Sequence, residues 1–192
     1  MTDVAGAAPL TYELVVRSQA GAEQLLRDLG ALAEIEEAVL GHCEAYRPEP
    51  PYKPQEYKKR LAAHGWLPEV RVPPYSPTHD NLPINERYDA LKFFEVAGEE
   101  VGVAIEMEDW EIYNDLLKFR RGYERGQIGA GVILQPHYAT LRYCYEHMLN
   151  LNEPFVGHIP ILFVCARGPG LKEPVQPKSR TFSPYLMPKK RS

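Results

Sequence analysis

Cysteine is scarce in this chain: 192 residues hold three, Cys43, Cys144 and Cys165, odd in number and far apart. That pattern argues against a disulfide framework and for buried thiols in a reducing cytoplasm. The six histidines form no H-x-x-x-H pair and the cysteines no C-x-x-C, so no zinc site is expected. No apolar run approaches the ~20 residues that a membrane-crossing helix needs. The opening residues, MTDVAGAAPLTYELVVRSQ, lack a basic segment followed by an apolar one. No signal peptide is therefore expected, and a cytoplasmic location is. A Gly-Lys-Ser/Thr phosphate loop and a serine nucleophile elbow are both missing. Gly126, Gly129 and Gly131 enter a strand instead of following one, so they read as a helix stop and close packing. Cys144, flanked by apolar residues, reads as core. There are no internal repeats.

What is present suits an ordinary globular domain, with 44% hydrophobic and 25% charged residues. The net charge of −4 does not by itself suggest a nucleic-acid binder. Its distribution is uneven. From Arg167 to Arg191 seven basic residues face one acid, Glu173, so this segment is +6 and the remainder −10. The chain divides accordingly into one domain over 1–166 and a basic, proline-rich arm over 167–192. Such an arm can be solvated or can contact phosphates.

Residues 10–17 fit a strand or the start of a helix. From Ser18 to Leu40 the apolar spacing is helical, with Gly41 as the stop. A short helix is expected from Gln55 to His64, stopped by Gly65, with Trp66 and Leu67 packed behind it. The prolines of 68–87 read as an irregular loop. A helix over 110–125 has the apolar stripe Ile112, Leu116, Phe119 and Tyr123, with Lys118, Arg121 and Arg125 opposite. Buried strands follow at 128–134 and 159–165, with a further helix over 138–149. Strand, helix and strand make a right-handed crossover, so 101–107 and 128–134 should run parallel. The expected fold class is α/β, a mixed sheet flanked by helices.

The sharpest feature is residues 88–108, YDALKFFEVAGEEVGVAIEME, which read as a β-hairpin turning at Ala97-Gly98. Paired positions then sum to 195, which sets Asp89 across from Glu106 at ~5.5 Å between Cβ atoms. Glu108 returns to the same face two residues later. Three crowded carboxylates raise one another's pKa unless a cation intervenes, and oxygen ligands suit Mg²⁺. A solvated acidic face is the competing reading. A second E-x-E triplet, Glu34-Ile35-Glu36, falls in a helix and suggests nothing. The triplet at 106–108 follows the apolar run Val101-Gly102-Val103-Ala104-Ile105, and acids at the end of a buried strand need a reason.

Asp89, then Glu106-Met107-Glu108, Asn114-Asp115-Leu116-Leu117-Lys118-Phe119 and the strand 128–134 together resemble the PD-(D/E)XK nuclease superfamily. Within it the chain is most similar to type II restriction endonucleases of the BglII and BamHI branch, over about residues 20–165. Gly65-Trp66 and the strand beginning Ile159-Pro160-Ile161-Leu162 add to the likeness. Two positions depart from the superfamily pattern: Tyr88 stands where a proline is usual, and Glu108 where a lysine is, a variation the branch accepts.

The resemblance implies a restriction-endonuclease-like sheet and a dimeric, Mg²⁺-dependent enzyme that cuts both strands of double-stranded DNA at a short palindromic site. Asp89, Glu106 and the Met107 carbonyl would hold one or two Mg²⁺ ions, and Glu108 would act as a base or bind metal. Lys118, Arg120, Arg121, Arg125 or the arm would neutralise other phosphates. A homodimer is expected, with helices 110–125 and 138–149 as its interface, the second presenting Tyr138, Leu141, Tyr145, Met148 and Leu149. A cognate DNA methyltransferase would be encoded nearby. The competing functions are a repair, junction-processing or RNA-cleaving nuclease of the same fold, and a catalytically silent DNA-binding module.

Overall fold

Strands covered on both faces are apolar, and two segments meet that demand: β5 (Ala130–Leu134) and, up to its exposed last residue, β6 (Ile161–Arg167). In the computed structural model, which describes residues 11–47, 50, 53–74, 86–107, 112–134, 156–169 and 171, they lie within a six-stranded sheet. The order is β1-β6-β5-β4-β3-β2, with β1 at Glu13–Gln19, β2 at Leu67–Arg71, β3 at Arg87–Val96 and β4 at Glu99–Glu106. β4, β5 and β6 run parallel, and β1, β3 and β2 are antiparallel to their neighbours. The protein is a mixed α/β fold.

Helices α1 (Ala22–Asp28), α2 (Ala31–Ala45) and α3 (Pro54–Ala63) share one core cluster, where Leu26, Ile35, Leu61 and Trp66 join Val103, Ile105 and Val132. Helix α4 (Ile112–Glu124) builds a second cluster, in which Ile112, Leu116 and Phe119 join Leu91, Ala104 and Ile133. Each large apolar side chain fully buried there contributes about 1.5–3 kcal/mol. Among the described residues no helix is long and apolar enough to cross a membrane.

The hairpin register is the expected one. Every observed pair from Ala90–Ile105 to Val96–Glu99 sums to 195. Its turn places Ala97 at φ 53 and Gly98 at φ 85, the double positive φ of a tight hairpin turn.

Four local expectations are corrected. The segment 18–40 is not one helix: 13–19 is a strand, and Gly30, at φ 75, separates α1 from α2. Gly41 does not stop α2; it lies inside the helix, where an added Cβ would meet Arg60 Nη1 at 2.8 Å. The stretch 68–87 contains a strand, β2, because Pro68 sits on a sheet edge where its missing N–H costs no ladder bond. Leu67 therefore does not pack behind α3; it lies on that edge, 53% exposed. The helix expected over 138–149, Cys144, Glu108 and the arm beyond Leu171 lie outside the described residues.

Candidate active site

Glu106 is the last residue of β4, 2% exposed, at the carboxyl end of a strand flanked on both sides. Burial raises its pKa to about 9, the neighbouring Asp115 carboxylate pushes the same way, and Lys118 opposes both. Asp115 and Lys118 are three residues apart on α4 and so share one face. That face meets the strand end: Lys118 Nζ lies 2.7 Å from Glu106 Oε1 and 2.8 Å from Asp115 Oδ1. Burial disfavours the charge on Lys118, yet the two carboxylates outweigh it and raise its pKa.

Asp89 lies one step past the last pair of the β3–β4 ladder, and its side chain continues the pairing in place of the backbone. The Met107 N–H donates to Asp89 Oδ2 at 2.7 Å. The other oxygen, Oδ1, is 2.7 Å from Lys58 Nζ. Lys58 comes from α3, anchored beside it by buried Tyr57 and Leu61. The same ammonium is 2.5 Å from Glu69 Oε1. Glu69 has a left-handed φ of 56, at a gap in the β2–β3 ladder where Pro68 pairs with Ala90 and Val70 with Tyr88.

Asp89 and Glu106 both lie at the open end of one hairpin, near enough for Asp89 to help raise the Glu106 pKa, but their lysines come from helices in the two opposite layers. Four acids, Glu69, Asp89, Glu106 and Asp115, thus stand with two lysines, Lys58 and Lys118. The donors, carboxylates and the Met107 carbonyl, are the hard oxygens that Mg²⁺ prefers. Among the described residues, however, no three His, Cys, Asp or Glu side chains form a group arranged to hold a metal ion. The lysines stand among the acids. Donor chemistry thus fits Mg²⁺, with acid–lysine contacts that binding would have to rearrange.

Of the basic residues expected to face DNA, Lys118 is occupied by Glu106 and Asp115. Arg121 is also not on a solvated face: its side chain is 3% exposed and paired with Glu86. Arg120 pairs with Glu124 at 2.7 Å along the helix, and Arg125 is exposed just past its end. The helical period placed the arginines opposite the apolar stripe; α4 is instead covered over a wider arc, because buried Tyr88 and Gly122 lie against each other there. Three members of the site were missed. The three-residue spacing of Asp115 and Lys118 was a readable signal. Lys58 and Glu69 gave none, since their meeting depends on β2. Neither the family models nor the curated proteins compared with this chain give a match.

Proposed function

We propose that the chain is a Mg²⁺-dependent endodeoxyribonuclease, a type II restriction endonuclease of the BglII- and BamHI-like branch of the PD-(D/E)XK superfamily. Its substrate is double-stranded DNA with a short palindromic site. The reading is carried by one observation: a carboxylate buried to 2% exposure at the end of a flanked strand, with Asp89 bonded to the next backbone N–H. A buried, partly uncompensated acid is costly to a fold and is found where chemistry requires it.

Asp89, Glu106 and the Met107 carbonyl are the groups that would hold the metal. Bound there, Mg²⁺ would polarise the phosphoryl oxygen and activate the attacking water. Lys118 keeps Glu106 and Asp115 compatible in one buried volume. Glu108, two residues beyond Glu106, is assigned the base or the second ligand position. A palindromic duplex offers two equivalent scissile phosphates, so the active species is a symmetric homodimer. A neighbouring methyltransferase would protect the host DNA.

A second reading has its own support. Asp89 and Glu106 each already hold a lysine, which suits a silent DNA-binding module whose acids serve only the fold. Incubation with phage DNA and Mg²⁺ separates the readings. Discrete fragments support restriction, a smear supports an unspecific repair-type nuclease, and intact DNA supports the silent module. Cleavage that persists in excess EDTA, or in Glu106→Ala protein, removes the metal site.

A further inference from the structure

We propose that Lys58 is a positioning residue that occupies the cation position at Asp89 in the metal-free protein and withdraws onto Glu69 when a divalent ion binds. This rests on the metal site proposed above. Both oxygens of Asp89 are engaged: Oδ2 by the Met107 N–H at 2.7 Å and Oδ1 by Lys58 Nζ at 2.7 Å. The bond to Met107 fixes the carboxylate on the hairpin end. Oδ1 is then the oxygen left to turn toward a metal, and Lys58 covers it. An ammonium and a divalent ion on one oxygen repel, so one must leave.

Lys58 has somewhere to go. Glu69 Oε1 is 2.5 Å from the same nitrogen, and the Glu69 side chain is 51% exposed against 23% for Asp89. The ammonium can lose Asp89 and keep a carboxylate partner nearer solvent. Glu69 reaches this place through a left-handed backbone that ordinary side chains rarely adopt, φ 56, opposite Asp89 in the sheet. Strain at a polar residue beside a candidate site persists only where the surroundings hold it. Here β2 and β3 hold it on either side. The Lys58 side chain itself is 12% exposed, sits on a helix anchored by Tyr57 and Leu61, and lies between these two acids. Lysine is a compact charge with three donors on a flexible stem, the group that can exchange one partner for another.

The test is Mn²⁺ binding by titration calorimetry at one pH, using full-length wild type, Lys58→Met, Glu69→Gln and, as a control, Lys59→Met. Lys59 is the next residue on α3, paired with Glu56 and largely exposed. Lys58→Met is expected to bind Mn²⁺ roughly tenfold tighter than wild type, the scale of neighbouring-shell effects on metal affinity. Glu69→Gln should bind more weakly, because Lys58 then has only Asp89, and Lys59→Met should match wild type. A purely structural role for Lys58 would weaken binding, the opposite sign. Equal affinity in all four proteins overturns this proposal and leaves the metal site standing. So does tightening of the same size in Lys59→Met, which would show a general field effect. Absence of binding in all four overturns both. If Lys58→Met does not fold, Glu69→Gln decides: unchanged or tighter binding overturns the exchange.

Discussion

Lys118 Nζ bridges Glu106 Oε1 at 2.7 Å and Asp115 Oδ1 at 2.8 Å, and both acids are almost completely buried. One cation thus compensates two carboxylates where water does not reach. Removing one partner of a buried ion pair costs far more than the pair contributes, because an uncompensated charge is left behind. Lys118→Met should therefore destabilise the fold by about 3–5 kcal/mol. Urea denaturation of wild type and variant measures this; a loss near zero would show that the lysine is not needed to hold the two acids together.

The raised pKa of Glu106, about 9 against the 4.5 of an ordinary glutamate, has a consequence for the whole protein. The folded state keeps a proton that the unfolded chain releases. Stability is therefore fully present below pH 4.5 and is lost as pH rises through about 9, all else being equal. Glu106→Gln removes the titration. Its urea midpoint should change less between pH 5 and pH 9 and lie at or above that of wild type at pH 8. A midpoint well below wild type at pH 8 would mean that the ionised carboxylate stabilises the fold.

Much of this was readable where local chemistry and tertiary structure agree. The Ala97-Gly98 turn set the whole hairpin register, since one turn position fixes every later pair. The uniformly apolar segments became interior strands. Reading failed where packing overrides the local signal. Pro68 suggested a loop but lies on a sheet edge. Gly41 suggested a helix end but makes room for Arg60. Arg121 suggested a solvated face but is buried against Glu86. The Lys58 contact joins α3, β2 and β3, and no periodicity encodes such a three-way meeting.

At Gly122, α4 lies directly against Tyr88 of β3. A Cβ there would sit 2.0 Å from Tyr88 Oη and 3.1 Å from Ile128 Cγ1. Tyr88 is fully buried and stacked on Phe119, with ring centroids 6.2 Å apart, so it has little room to yield. Gly122→Ala should cost about 1–3 kcal/mol through overpacking. Adding Tyr88→Phe removes the clashing oxygen, together with its bond to the Lys118 carbonyl at 3.2 Å. The double variant should recover part of the loss, a coupling that thermal or urea denaturation of the four proteins reads directly.

The two E-x-E triplets share one pattern, and their first glutamates should respond to mutation with opposite signs. Glu34 is a structural clamp: its Oε2 accepts from Trp66 Nε1 at 2.8 Å and its Oε1 from Lys92 Nζ at 2.6 Å. Lys92 also donates to the His64 carbonyl at 2.7 Å, so Glu34 ties α2 to the end of α3 and to β3. Glu34→Ala leaves both donors short of a partner and should cost about 1–3 kcal/mol. It touches none of the site's carboxylates, so DNA cleavage well below the melting temperature should stay near wild type. Glu106→Gln should do the reverse, holding or raising stability at pH 8 while abolishing cleavage. Stability and cleavage assays on this pair separate a carboxylate kept for the fold from one kept for chemistry. Loss of both properties together in Glu106→Gln would place Glu106 among the structural acids and leave the proposed site without its central ligand.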